Sequence, residues 1–352
     1  MHALTRCGLL IALAGLGPLL RADPPEPEFT RLKFGAISLY SENDKYFAGT
    51  DEHYTNGFKI SFLSAPIANF TDDPVPRPIQ QVARTLRALL PAEQDYKLGL
   101  SFGQNLYTPE DTSVAAPQPG DRPYAAWLYG GIAFQVYRPA RFFATGTRAV
   151  SQLDVIELTF GVVGPSALGR QVQNELHRLI DAEPARGWDN QIGDEPGLNL
   201  VYERKYRFAT ARARTGWGAD LIPHAGVSLG NVFTYANVGA EVRFGYRLPN
   251  DFGTQLIRPS GDSAATIRPR FSTFFFAAGD ARAVARDLTL DGNTWKDSPS
   301  VDKKHFVSDL HAGVAVGTTH WQFTYTQAVR TREFKGQEDN SVFGSVSVSY
   351  YY

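Results

Sequence analysis

Cysteine and methionine are almost missing from this 352-residue chain, Cys7 and Met1 being the only ones. With Cys7 inside a removable leader, the mature chain has no thiol. That excludes a disulfide framework, a thiolate nucleophile and a zinc–thiolate centre. Beyond the leader no apolar run approaches eighteen residues, so no membrane-crossing helix is expected. Charge of one sign is not concentrated: 35 Lys and Arg face 36 Asp and Glu. Without a basic block, nucleic acid is not an expected partner. The chain has no Gly-x-Ser-x-Gly elbow for a conventional serine esterase and no His-Glu-x-x-His zinc motif.

What is present begins with an export signal. His2 and Arg6 precede an apolar run from Cys7 to Leu20, and the small Ala22 precedes an acidic, proline-rich stretch. Residues 1–22 therefore read as a secretory signal peptide cleaved near Ala22. Leu4-Thr5-Arg6 before Cys7 is not a lipobox, so a lipoprotein is not expected. No linker-like shift divides residues 23–352, which read as one architecture.

Period-two alternation recurs along that stretch. Val238, Ala240, Val242 and Phe244 share one parity, and Gly239, Glu241, Arg243 and Arg247 the other, with Leu248 continuing the apolar set. Leu98, Leu100 and Phe102 oppose Lys97, Gly99 and Ser101, while Ile156, Leu158, Phe160 and Val162 oppose Glu157, Thr159 and Gly161. About twelve such segments begin between Arg31 and Val342, each long enough for a tilted membrane strand. In Phe271–Ala281 both parities are apolar, and in the first segment Ile37 and Leu39 compete with Ala36 and Tyr40. The last strand ends on Tyr350 and Tyr352, an aromatic terminus that resembles the signal of outer-membrane barrels. The expected fold is all-β, a closed antiparallel transmembrane barrel of about twelve strands with short helical inserts, since backbone groups in lipid must all be paired. Glu157, Glu203, Lys205, Arg207, Glu241, Arg243, Arg247 and Asp309 would line a lumen plugged by paired charge, joined by His224 and His311.

Two inserts have helical period, Pro78–Leu90 and Ser166–Asp181. The second has Val172, Leu176, Leu179 and Ile180 on one face. Gln173 and His177, four residues apart, share its polar face. On spacing alone His177 could be a solvated surface residue or a working group at the barrel mouth. Asn43-Asp44 closes the first strand and Tyr54-Thr55-Asn56-Gly57 opens the second, so a hairpin would bring both clusters to one rim. Turn chemistry alone could account for them.

In order, Asn43-Asp44, Tyr54-Thr55-Asn56-Gly57, Gly120-Asp121-Arg122-Pro123-Tyr124, the run Gly161 to Arg178, Trp188-Asp189-Asn190-Gln191 and Leu288 to Thr294 span nearly the whole mature chain. As a set they resemble the lipid A 3-O-deacylase family, known as LpxR. The resemblance implies a twelve-stranded outer-membrane barrel that hydrolyses the ester holding the 3'-acyloxyacyl chain of lipid A, with calcium dependence. It implies His177 as the catalytic base, Asn43, Asp44 and Thr55 as further active-site positions, and Gln173 and Glu183 as supports of the imidazole. Asp44 would bind the calcium ion. The partners implied are lipid A or lipopolysaccharide as substrate and the lipids of the outer membrane. Members can carry a Lys-Arg pair between the third and fourth strands, thought to meet lipid phosphates; here residues 108–120 contain no basic residue. An outer-membrane phospholipase and a non-enzymatic narrow porin are the competing readings.

Overall fold

The computed structural model describes residues 32–44, 46, 53–90, 95–139, 150–179, 181–209, 215–253, 256–258, 261–263 and 268–352, without the side chains of residues 53–55. The expected signal peptide lies outside the described residues. Twelve antiparallel strands close into a barrel, each paired with its neighbour in sequence and the first paired with the last. They are β1 Phe34–Asn43, β2 His53–Ser64, β3 Asp95–Thr108, β4 Ala125–Pro139, β5 Val150–Val163, β6 Glu195–Ala209, β7 Trp217–Gly230, β8 Phe233–Tyr246, β9 Phe271–Asp287, β10 Phe306–Thr318, β11 Trp321–Arg330 and β12 Ser341–Tyr351. Among the described residues three α-helices, α1 Arg77–Thr85, α2 Gly169–Leu179 and α3 Leu288–Asp291, lie in the connections.

The parity read from the sequence fixes which way each strand faces. Leu39, Phe102, Phe160, Leu198, Val238, Phe244, Phe275 and Phe323 are exposed, although each is a large apolar residue. Their strand neighbours Ser38, Lys97, Glu157, Asn199, Glu203, Arg243 and Thr324 are buried. A soluble sandwich would do the reverse. A hydrocarbon solvent makes this distribution favourable, and closure leaves no unpaired edge in it. In β1 the competition resolves with Leu39 outside and Tyr40 inside; in β9 Phe275 faces out while Phe274 and Phe276 are buried. At the end that holds the C-terminus, Trp217 stacks on Phe244, and Trp321, Tyr350 and Tyr352 pack edge to edge, an aromatic girdle of the interfacial kind.

Two expectations at the end of β8 fail. Arg247 takes a left-handed φ of 52° and ends the strand. Its side chain is exposed rather than lumenal. The turn swings Leu248 inward to pack with Phe274, Phe276 and Ala315, off the lipid face. The expected helix over Pro78–Leu90 ends at Thr85, and it lies outside the barrel. Ile79 and Ala83 pack, together with Phe70, on Leu98, Phe134, Val136 and Ile156, so the helix covers part of the outer wall.

The lumen is filled by paired charge, as expected, and also by the described residues of the β8–β9 connection, which fold inward. Arg243 binds Asp220 at 2.7 Å and also Asp251 of this connection. Asp262, further along, accepts from Lys59 Nζ at 2.6 Å, and Arg258 lies 3.4 Å from Glu203. Charges so enclosed are tolerable only when paired and hydrogen-bonded. His224, on the lumen side as expected, bonds Asp280 at 2.8 Å.

Candidate active site on the outer wall

The Gly161–Arg178 run leaves β5 and turns back over the outside of the barrel. Gly164, at φ 103°, and Leu168, at φ 60°, make the reversal, and Asp194 holds it by accepting from the backbone N–H and hydroxyl of Ser166. Gly169 then opens α2. A Cβ here would come within 2.5 Å of the Trp188 ring and 2.6 Å of the Ala126 side chain, so only glycine lets the helix sit this close to the wall. Trp188 is fully buried, 4.9 Å from the Tyr124 ring, and donates its indole N–H to Gln173 Oε1 at 2.6 Å. The Trp188 and Tyr124 motifs thus act as an anchor for the helix.

The orientation of α2 inverts the usual amphipathic rule. Its buried residues are Gly169, Gln173 and His177, while Leu176 is partly exposed and Leu179 is 77 % exposed. In water the leucines would face inward. Against lipid the polar face is the one that needs cover.

His177 Nδ1 lies 2.5 Å from the main-chain carbonyl of Glu183. A carbonyl only accepts, so Nδ1 carries the proton, and in the neutral ring Nε2 is the basic nitrogen. Of the two residues expected to support the imidazole, Glu183 holds it and Gln173 is engaged elsewhere. Glu183 acts through its backbone, and its carboxylate points to solvent 3.7 Å from Arg186. Gln173 holds Trp188 instead. Its Nε2 is buried and makes no hydrogen bond among the described residues, which leaves a donor at the cleft.

Between α2 and the wall runs a cleft of about 540 Å³ lined by Ser41, Asn43, Tyr46, Asn56, Gln104, Gln173 and His177, with apolar sides from Phe58, Phe102, Leu128, Leu168, Val172 and Leu176. The structure therefore brings His177, Gln173 and Asn43 together. Asp44 follows directly in the chain and is buried, outside the cleft lining. Thr55 sits in β2 where pairing with β3 slips between Tyr54 and Asn56; its side chain lies outside the described residues. Tyr46, whose hydroxyl is 3.0 Å from Ser41 Oγ, was not anticipated. Asn56 was visible as part of the rim cluster that opens β2, whereas Gln104 was visible only as a polar residue on a parity that otherwise carries Phe102; both break the parity that carries Phe58 and Phe102. That break in the lipid-facing pattern is the signal that marks them.

Calcium takes oxygen donors, and the cleft lining offers neutral ones, the Asn43 and Asn56 amides, with the Asp44 carboxylate next in the chain to Asn43 but outside the lining. Among the described residues no three histidine or acidic side chains cluster to hold a metal, so an ion would rest on one carboxylate and neutral oxygens.

Residues 9–352 match the family model described as outer membrane protein LpxR. The chain belongs to the LpxR family. Among solved structures, LpxR from Salmonella typhimurium is similar in fold at TM-score 0.67 and 20 % identity, covering 90 % of this chain and 100 % of that one. The β domain of the Bordetella autotransporter BrkA matches at TM-score 0.42 and 7 % identity, over 91 % of this chain and 100 % of that one, too remote to bear on function. No curated protein matches by sequence. This LpxR-family barrel is accordingly an outer-membrane protein, and its family motifs fall largely on the rim scaffold. Arg122, fully buried, reaches Glu333 at 3.1 Å and Thr289 at 3.2 Å, tying three loops over the lumen. Burial alone would raise the Glu333 carboxyl, but Arg330 and Arg122 more than offset it and hold it below the usual glutamate range. Asn293 pairs with both backbone groups of Gly193 at 2.8 Å.

Proposed function

We propose that this protein is a lipid A 3'-O-deacylase, hydrolysing the ester that links the 3'-acyloxyacyl chain to the sugar. The observation that carries this is the place of His177: its imidazole is fixed by a backbone carbonyl in a cleft that opens on the lipid-facing wall. A substrate anchored in the membrane reaches such a site sideways, its acyl chains against Phe58, Phe102 and Leu176.

His177 Nε2 takes a proton from a water molecule as the oxygen attacks the ester carbonyl. A positioned general base contributes roughly 10²–10⁴-fold. Negative charge then develops on the carbonyl oxygen, and the Gln173 and Asn43 amide N–H groups can donate to it in this partly dry cleft. As the intermediate collapses, the imidazolium returns the proton to the departing sugar oxygen. The products are the sugar hydroxyl and the free acyloxyacyl acid. Asp44, with the amide oxygens of Asn43 and Asn56, is the set proposed to hold calcium, which when bound would polarise the carbonyl as a Lewis acid.

A phospholipase reading shares this chemistry, and the absence of basic residues in 108–120 keeps it in view. The porin reading is disfavoured by the ion-paired connection across the lumen. Mass spectrometry of lipid A and phospholipids from cells with and without the protein separates the three. Loss of one acyloxyacyl unit from lipid A supports the proposal. Free fatty acid from phospholipid, or no change, contradicts it.

A further inference from the structure

The β8–β9 connection meets the lumen side of the very strands whose outer side forms the cleft. Asp262 Oδ2 accepts from Lys59 Nζ at 2.6 Å, and Oδ1 accepts from the Tyr40 hydroxyl at 2.7 Å and from Ser61 Oγ at 3.0 Å. Gln135 Nε2 donates to the Asp262 carbonyl at 2.7 Å, and the Ile257 N–H donates to Glu42 Oε1 at 2.7 Å. Tyr40, Glu42 and Lys59 alternate with Ser41, Asn43 and Phe58, and Tyr40 pairs with Lys59 as Ser41 pairs with Phe58. Successive residues of a strand point to opposite faces of one backbone. Fixing Tyr40, Glu42 and Lys59 from inside therefore fixes the cleft residues outside.

This support falls where the β1–β2 pairing ends. Asn43 is the last paired residue of β1, and the β2–β3 register slips one residue before Asn56. The β1–β2 ladder ends here while β2 stays paired with β3 as far as His53, and Glu42 is the last lumen-facing position of β1. The Lys59 side chain is 2 % exposed, so its charge needs the Asp262 carboxylate beside it.

We propose that the stretches of this connection around Ile257 and Asp262 are the positioning element of the cleft, with Asp262 and Lys59 as positioning residues that hold Asn43 and Asn56 opposite His177 from within the lumen. The inference rests on the deacylase reading for its kinetic test and on structure alone for its second test. Displacement of reacting groups by about 1 Å can cost on the order of 10²-fold in rate.

Asp262→Ala is expected to lower kcat for acyl release at least tenfold with KM little changed, while the protein still migrates as a folded, heat-modifiable barrel. Tyr40→Phe, which removes one hydrogen bond and little volume, is expected to lower kcat a few-fold. Asp251→Ala is the matched control: it loosens the same connection where it meets Arg243, behind β8 rather than behind the cleft, and is expected to leave kcat within about twofold. Hydrogen exchange supplies the readout that needs no activity. In Asp262→Ala, amides of 40–44 and 56–60 should exchange faster while those of 238–246 do not change. Equal losses of kcat in Asp262→Ala and Asp251→Ala, or unchanged exchange in 40–44, overturns the positioning role. A wild-type protein that releases no acyl chain overturns the deacylase reading, and the exchange result still decides this one.

Discussion

The two faces of the β1–β2 wall carry opposite chemistry. Inside, Lys59, Glu42 and Tyr40 are charged or polar and buried, Lys59 and Tyr40 bonded to Asp262 and Glu42 to the Ile257 N–H. Outside, a few residues apart along the same strands, Ser41, Asn43 and Asn56 interrupt a surface otherwise built of Leu39, Phe58 and Phe102. The inner face holds most of the charge and satisfies it internally, so it has little left to offer a substrate. The outer face holds few polar groups, yet they lie where lipid can reach them. In a barrel of this kind, the density of ionisable residues marks the scaffold. The cleft proposed as the working site is marked by polar residues on the side that should be apolar.

If that contrast is right, chelation should strike only the outer face. Excess chelator is expected to lower acyl release on the order of 10²-fold or more, the loss of a Lewis acid at the carbonyl, with calcium restoring it. Thermal stability of the ion-paired lumen should change little, and Asp44→Asn should raise the calcium concentration needed for half-maximal rate. Full turnover in chelator removes the ion from the account. A smaller effect comes from moving the helix. Gly169→Val places side-chain atoms inside the Trp188 ring, an overpacking that typically costs about 1–3 kcal/mol. It is expected to push α2 off the wall and lower kcat roughly tenfold, read beside the Trp188 fluorescence shift; unchanged kcat with a shifted spectrum would show that helix placement does not limit the rate. The smallest effect is expected from Leu176→Asp, which puts charge on an apolar side of the cleft. A few-fold rise in KM for micellar lipid A, with kcat nearly constant, would fit lateral entry of the acyl chain. A fall in kcat alone would argue against it.

Much of this was legible in the sequence because membrane strands leave a simple imprint. Side-chain parity alone assigned Val238, Phe244, Glu241 and Arg243 to their faces, and the strand starts lie within a few residues of those observed. His177 and Gln173 were placed on one helix face by their four-residue spacing. What escaped needed three dimensions. The β8–β9 connection, with Pro249, Gly253 and Gly261, has no period, and nothing in its linear pattern says that a loop folds inward. Arg247 kept the strand's parity in sequence but lost it to a left-handed backbone. Glu183 was named by the resemblance, and its carbonyl makes the contact with His177, a role any residue type can fill. The buried polar face of α2 follows from a hydrocarbon neighbour that the sequence of the helix does not name.

The central claim is that the reaction belongs to the outer cleft and to none of the lumenal groups. Two purified variants test it side by side on the same lipid A micelles: His177→Ala in the cleft and His311→Ala in the lumen, where the histidine sits among Asp309, Asp280 and Arg258. The account predicts that acyl release falls roughly 10²–10⁴-fold in the first, the contribution of a general base, and stays within about twofold in the second. Retained release in His177→Ala, or its loss in His311→Ala with the barrel intact, would contradict it.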